Sequence, residues 1–113
     1  MCGLDVELVQ GAHIYPVSAP GSYDEVWNGL ALCPNHHLAF DRYLIAVEIN
    51  TRAILFRPTI VDQAPRNRAV QTLVDGTFDR LAEPAEQDLR PRRVMLRKRY
   101  EYYADYYGWM GRR

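Results

Sequence analysis

The sequence lacks the marks of membrane-spanning, disulfide-stabilised and repetitive proteins. No apolar run approaches the roughly 20 residues that a membrane-spanning helix needs, and no repeat or low-complexity segment is present. The chain of 113 residues contains only 2 cysteines, which excludes a disulfide framework and favours a cytoplasmic protein with free thiols or metal ligands. A hydrophobic content of 48% and a charged content of 25% are typical of one small globular domain.

Positive charge is missing from the beginning of the chain. No lysine or arginine precedes Arg42, and the acidic residues of that part are Asp5, Glu7, Asp24, Glu25 and Asp41. The C-terminal part is instead basic, with Arg90, Arg92, Arg93, Arg97, Lys98, Arg99, Arg112 and Arg113. Although the formal net charge is zero, this distribution suits a metal site beside a polyanion-binding surface. A solvated helix face explains the basic run equally well.

Hydrophobic periodicity and turn residues predict an α+β fold. The first half is predicted to contain a bent strand at Val6–Val17, a turn-rich loop at Ser18–Tyr23, a buried strand around Leu30 and a short helix that begins at Pro34. A β-hairpin is predicted to follow, with strands at Leu44–Ile49 and Ala53–Arg57.

The second half is predicted to be irregular until its final helix. Thr59–Arg68 is interpreted as a loop, Ala69–Arg80 as either a short strand pair or a helical turn, and Glu83–Leu89 as a polar linker. The final helix is predicted at Arg92–Tyr107, ended by Gly108. Its apolar stripe consists of Leu96, Tyr100, Tyr103, Tyr107 and Met110. Packing in the core or against a partner is favoured over base stacking for this stripe.

Residues 28–41, NGLALCPNHHLAFD, include most of the side chains that could bind a metal or transfer a proton. His37 and Asp41 are four residues apart, so they project from one helix face as half of a divalent-metal site would. Cys33 and His36 are three residues apart, the spacing of half of a structural zinc site. A solvated helix end and an ordinary surface contact explain the same pairs without any metal.

His13, Asn28 and His37 occur in that order in the motifs AHIYP, NGLALC and PNHHLAFD. This arrangement resembles the HNH endonuclease family, and is most similar to a branch in which AHI-x-P is followed by NGL-x-L and H-x-x-FDR-x-L. The resemblance covers about Cys2 to Phe56. It implies a ββα-metal core, a β-hairpin plus a short helix, extended here by the second hairpin and the C-terminal amphipathic helix. It also implies hydrolysis of DNA phosphodiester bonds with one divalent metal ion.

The resemblance assigns roles to individual residues. His13 is the general base that takes a proton from the attacking water, because imidazole titrates near neutral pH. Asn28 holds the loop backbone and keeps His13 facing the metal. His37 is the first ligand of the ion, Mg²⁺ or Mn²⁺, and helix geometry adds Asp41 as the second. The ion neutralises charge on the scissile phosphate.

The chain departs from the family pattern at two places. Many members have a metal-binding Asp or His where this chain has Ala12, so waters or phosphate oxygens would complete the coordination shell. Many members also have two C-x2-C zinc motifs, of which Cys33-x-x-His36 matches the second and Cys2 the end of the first. These three residues are the candidate ligands of a structural Zn²⁺, and the alternative is that both cysteines are ordinary small apolar residues.

We expect residues 1–58 to form the HNH core with its following hairpin and residues 59–113 to form a C-terminal extension, within one compact domain. Nuclease modules of this branch usually follow a separate DNA-reading domain. We therefore expect a fragment of a restriction-type enzyme that acts on DNA and not on membranes, targeted by an N-terminal domain or as a homodimer. The alternatives are a catalytically inactive, zinc-stabilised module that binds nucleic acid or protein, and a fragment that binds a partner through its Tyr-rich helix.

Overall fold

The predicted α+β class is confirmed by the computed structural model, which describes residues 1–3 and 9–112, with side chains as far as Met110. Its strands are β1 (Gln10–His13), β2 (Gly29–Leu32), β3 (Ile45–Val47) and β4 (Ile54–Phe56). Its α-helices are α1 (Pro34–Asp41), α2 (Pro58–Gln63), α3 (Arg68–Asp75) and α4 (Arg93–Tyr102). Short 3-10 turns lie at Val26–Asn28, Ala64–Arg66, Gln87–Leu89 and Gly108–Arg112.

The first structural unit is the hairpin β1–β2 followed directly by α1. The two strands are antiparallel, and Gln10 pairs with Leu32 while His13 pairs with Gly29. The helix begins at Pro34, whose missing N–H costs nothing in a first turn, and Cys33 caps it by accepting a hydrogen bond from His36 N. This sequence-predicted order of strand, strand and helix therefore places residues 10–41 in one compact unit.

The end of α1 is determined by backbone geometry and aromatic packing. Tyr43 has a φ of +60°, the left-handed conformation that ends many helices. The amide of Leu44 then bonds the carbonyl of Ala39 at 2.9 Å, as in a Schellman motif. A bulky residue rarely adopts this conformation. The Tyr43 ring is held by packing, since the ring of Tyr106 stacks on it with centroids 4.5 Å apart.

The core joins the first unit to the second hairpin and α4. Its largest fully buried side chains include Phe40, Ile14, Leu32, Ile45, Met95 and Leu96. Tyr100 fixes α4 to β3, because its hydroxyl accepts from Val47 N at 2.8 Å and donates to Val47 O at 2.7 Å. Burial raises the pKa of Tyr100 well above its usual value. The residues of the predicted stripe thus pack into the core, as their spacing favoured, although only Leu96 and Tyr100 lie on the helix itself.

Several predicted elements differ from the observed ones. The first strand is only Gln10–His13, and residues 6–8 of the predicted strand lie outside the described residues. The predicted loop at 59–68 is wrong, because Pro58 and Pro65 each occupy a first helical turn, in α2 and in a 3-10 turn. The strand-pair alternative for 69–80 is also wrong: Asn67 caps α3 through Ala69 N and Val70 N.

The final helix is shorter than predicted. It ends at Tyr102, where the chain turns so that the ring of Tyr106 can stack on Tyr43 and Tyr107 can be buried. Aromatic packing across the molecule therefore prevails over local helical periodicity here. None of the helices in the described part of the chain is both long and apolar enough to cross a bilayer.

Candidate active site

His13 is the last residue of β1 and is exposed. Its Nε2 lies 2.9 Å from Oδ1 of Asp24. Because side chains alternate along a strand, His13 faces away from the buried Ala12. The side chains of the pair are 50% and 80% exposed, so it contributes little to stability. The contact nevertheless occupies one imidazole nitrogen and leaves Nδ1 available.

Asn28 is fully buried between the two strands and fixes the loop that joins them. Its Oδ1 accepts from Tyr15 N at 2.9 Å, and its Nδ2 donates to Tyr15 O at 2.9 Å and Tyr23 O at 2.8 Å. The backbone of Asn28 accepts from Ile14 N at 3.0 Å. Asn28 therefore holds both the segment after His13 and the segment before Asp24.

His37 lies on α1, half-buried, between the hairpin and Asp41. Its Nδ1 is 2.8 Å from Oε1 of Gln10, which lies on the same face of β1 as Ala12. Its Nε2 is 3.3 Å from Oδ2 of Asp41, the partner expected from the helical spacing. With Nδ1–H donated to Gln10, the Nε2 lone pair faces a carboxylate oxygen. Because His37 Nε2 and Asp41 Oδ2 are then both acceptors, a cation between them, either a proton or a metal ion, would satisfy both atoms.

The two histidines form separate pairs and not one cluster. Among the described residues, neither His13 nor His37 belongs to a group of three or more His, Cys, Asp or Glu side chains within metal-binding distance of one another. The roles assigned to His13, Asn28, His37 and Asp41 remain predictions. Gln10 and Asp24 were not identified from the sequence, because glutamine and aspartate at these positions carry no motif of their own.

Arg99 on α4 connects the two pairs through the backbone. Its Nη1 donates to Ile14 O at 3.0 Å and its Nη2 donates to Phe40 O at 2.8 Å. These carbonyls belong to the residue after His13 and the residue before Asp41, so one guanidinium draws the end of β1 and the end of α1 together. Arg99 is only 4% exposed. The sequence-based prediction that Arg99 belongs to a solvated or polyanion-binding basic surface is therefore wrong.

The other arginines of the basic C-terminal run, as far as the structure describes them, lie in two different places. Arg90, Arg92 and Arg93 line a cleft with arginines from other segments. Arg97 pairs weakly with Glu101, at 3.9 Å on an exposed helix face. The side chain of Arg112 and the whole of Arg113 lie outside the described residues.

Cys2, Cys33 and His36 form a second cluster on the other side of α1, and this cluster could bind a metal ion. One ligand atom from each residue lies within 4.8 Å of the other two, and the distance from Cys33 Sγ to His36 Nδ1 is 3.1 Å. The amide of Phe78 donates to Met1 O at 2.7 Å, which fixes the chain next to Cys2. The cluster therefore links the N-terminal segment to the start of α1.

Thr77 determines which nitrogen of His36 faces the cysteines. The Thr77 hydroxyl donates to Leu73 O at 2.6 Å, so its oxygen accepts from His36 Nε2 at 2.7 Å. That hydrogen-bond pattern assigns the proton to Nε2 and leaves the Nδ1 lone pair for a ligand. Burial lowers the pKa of His36 and so favours the neutral imidazole that metal ions bind. Thr77 is another residue that the sequence alone did not indicate.

Comparison with known proteins gives one match. No curated protein and no solved structure matches the chain. The family model described as HNH endonuclease matches residues 1–48, which include β1, β2 and α1 with His13, Asn28 and His37. At the level of the family, this match indicates a nuclease module whose substrate is nucleic acid. The resemblance of residues 1–48 to the HNH endonuclease family is thereby confirmed.

Proposed function

We propose that the chain is a metal-dependent DNA endonuclease or nickase, the catalytic module of a restriction-type enzyme. The observation that carries the proposal is the link made by Arg99 between the His13 end of β1 and the Asp41 end of α1. It ties the backbone beside His13 to the backbone beside Asp41. A phosphodiester bound across the ββα unit would meet a proton acceptor on β1 and a metal-binding pair on α1.

His13 would act as the general base. With Nε2–H donated to Asp24, Nδ1 holds the lone pair that can take a proton from the attacking water. The imidazolium that forms would be stabilised by the Asp24 carboxylate, as in other histidine–carboxylate pairs. Asn28 would keep the two residues aligned, because it bonds the backbone next to both of them.

His37 and Asp41 would hold the divalent ion. Their facing acceptor atoms supply one nitrogen and one oxygen donor, and Gln10 orients the imidazole from behind. A bound Mg²⁺ or Mn²⁺ would supply Lewis-acid neutralisation of charge on the phosphate. Because Ala12 gives no ligand from β1, the protein donors are few, a situation that hard ions tolerate by retaining water.

The test is conversion of supercoiled plasmid to the open-circular form by the purified chain. We expect nicking with Mg²⁺ or Mn²⁺ and none with EDTA. His37→Ala should raise the Mn²⁺ concentration for half-maximal nicking by about tenfold or more, because a direct ligand is lost. Leu38→Ala, at the exposed neighbour on the same helix, should leave that concentration unchanged. Absence of nicking by the unmodified chain with either ion would refute the proposal.

A second candidate function is a catalytically inactive binding module that depends on zinc for its stability. It is favoured by Ala12 at a position where many family members supply a metal ligand, together with the cluster of Cys2, Cys33 and His36. Stoichiometric zinc, in a chain that nicks no plasmid under any divalent ion, would favour this function over the first.

In either case we propose that Cys2, Cys33 and His36 hold a structural Zn²⁺, with Thr77 orienting the imidazole. Free Zn²⁺ at roughly 100 times its Kd should raise the Tm of the metal-free chain by about 10 °C, the expected effect on a domain of this size. Cys33→Ala should abolish that rise. Thr77→Val should weaken Zn²⁺ binding by about 10- to 100-fold, because His36 loses its hydrogen-bond acceptor. Identical melting with and without Zn²⁺ would mean that both cysteines are ordinary apolar residues.

A further inference from the structure

A cleft of about 600 Å³ lies between the turn that joins β3 to β4 and the beginning of α4. It is lined by Arg52, Arg80, Arg90, Arg92 and Arg93, and by the single carboxylate of Glu83. We call it the arginine cleft. All of its lining residues lie beyond residue 48, so the family match gives no information about it. The sequence disperses these arginines over 42 positions, and only folding assembles them.

The described residues leave most of the positive charge of the arginine cleft without an acidic partner. Arg52 approaches Glu83 at 3.7 Å, a long contact. Arg80 donates twice to Thr51 O, at 3.0 and 2.6 Å, and Arg90 donates to Pro84 O at 2.7 Å. Neutral carbonyls fix a guanidinium in place but leave its charge uncompensated. With five arginines and one glutamate, the arginine cleft has a formal charge of +4.

Arg92 and Arg93 add to this excess at the start of α4. Arg93 Nε donates to the neutral Asn50 Oδ1 at 3.0 Å. Within the described part of the chain, the arginines at 80, 90, 92 and 93 form no ion pair. No acidic residue occupies the first turn of α4 to offset them. Several fixed guanidiniums with no anionic partner present the fork geometry that phosphate oxygens match.

Aromatic contacts connect the arginine cleft to the candidate active site. The guanidinium of Arg92 lies 4.1 Å from the centre of the Trp27 ring, and its backbone amide donates to Trp27 O at 2.9 Å. Trp27 packs on Tyr23 with ring centroids 5.2 Å apart. Tyr23 directly precedes Asp24, the hydrogen-bond partner of His13. The cleft and His13 therefore lie at the two ends of one continuous series of contacts.

We propose that the arginine cleft binds the phosphate backbone of the nucleic-acid substrate and positions the strand that reaches His13. The identity of the ligand rests on the proposed function, whereas the charge and geometry of the cleft do not. A polyanion gains from such a cleft because each neutralised phosphate releases condensed counterions, which makes binding strongly dependent on salt. Contacts of this kind hold the duplex without reading its sequence.

The test is the affinity of the full chain for a short fluorescein-labelled DNA duplex, measured by anisotropy without added Mg²⁺ or Mn²⁺ across a titration of KCl. The double variant Arg80→Gln/Arg93→Gln removes two exposed arginines of the cleft that come from different segments of the chain. It should raise the Kd about tenfold or more at low salt and reduce the slope of log Kd against log salt by about two. Arg80→Lys/Arg93→Lys keeps the charge and should keep most of the slope.

A matched control removes the same charge elsewhere. Arg66 and Arg68 are exposed near the beginning of α3 and lie outside the cleft. Arg66→Gln/Arg68→Gln should therefore change the slope by less than about half a unit. Equal slopes for the cleft and control variants, equal losses for the Gln and Lys variants, or no binding by the unmodified chain would each overturn the inference. Because binding is measured without the catalytic ion, it does not depend on cleavage. Cleft-dependent binding by a chain that never nicks plasmid would therefore support the inference while refuting the proposed nuclease function.

Discussion

Replacing His13 by alanine is expected to lower the rate of plasmid nicking by about 10²- to 10⁴-fold, the usual contribution of a general base. The reason is that no other imidazole lies at the end of β1. The attacking water would therefore lose the side chain that accepts its proton at neutral pH. The rate is measured as conversion of supercoiled to open-circular plasmid at saturating Mn²⁺. Addition of free imidazole should restore part of the lost rate, because it can enter the space that the side chain leaves.

The control for this experiment lies close by. His13 is exposed and its pair with Asp24 is solvent-accessible, so His13→Ala should leave the free energy of unfolding nearly unchanged. Val17→Ala, another exposed truncation in the loop after β1, should change neither the rate nor the stability. Unchanged nicking by His13→Ala would show that His13, the histidine expected from the order of the motifs, is not the catalytic base of this chain.

Replacing Arg99 by methionine is expected to lower the free energy of unfolding by about 3 kcal/mol or more. Methionine has a similar length and is apolar, but it leaves two acceptors without this donor: the carbonyl of Ile14 and the hydroxyl of Tyr107, which Arg99 Nε contacts at 2.8 Å. The carbonyl of Phe40 also loses Arg99 but keeps the amide of Tyr43 at 3.1 Å. Each buried polar group left unsatisfied costs about 1–3 kcal/mol. Relief from burying an unpaired charge offsets part of this cost. Urea unfolding at constant m-value gives the difference.

Arg97→Met is the matched control, since it makes the same substitution two positions earlier on α4. Arg97 is exposed and its contact with Glu101 is long, so the free energy of unfolding should change by less than about 1 kcal/mol. If Arg99→Met were no more destabilising than Arg97→Met, the three hydrogen bonds of Arg99 would not be important for the fold.

Arg99 should also affect catalysis without touching the substrate. Arg99→Lys retains the charge but cannot reach all three acceptors, so the ends of β1 and α1 are held less firmly. In Arg99→Lys, at a temperature where it is fully folded, nicking should slow while the salt dependence of DNA binding stays the same. A purely structural role would instead leave the nicking rate of the folded fraction unchanged.

Local pattern was sufficient to predict the fold class and the ββα unit. Pro34 predicted the start of α1, and the β-branched residues on either side of Asn50 predicted two strands. The structure confirms these elements and their order. These signals are local, because a missing N–H or an alternating strand acts on its own neighbours. The spacing of Cys33 and His36 likewise predicted two members of the cluster that the structure assembles. Where local rules were applied to Pro58 and Pro65, however, they gave a loop in place of α2 and a 3-10 turn.

The sequence by itself determined the ββα unit, the resemblance of residues 1–48 to the HNH endonuclease family, and the candidate residues His13, Asn28 and His37. Only the tertiary structure decided the contacts around the candidate sites. These are Thr77 beside His36, Arg99 between β1 and α1, and the arginine cleft. The physical reason is that Thr77 and Arg99 contact residues 41 to 85 positions away, where no periodicity or capping rule acts. Their partners are selected by burial and by the need to satisfy every buried polar group, and both conditions exist only once the chain has folded.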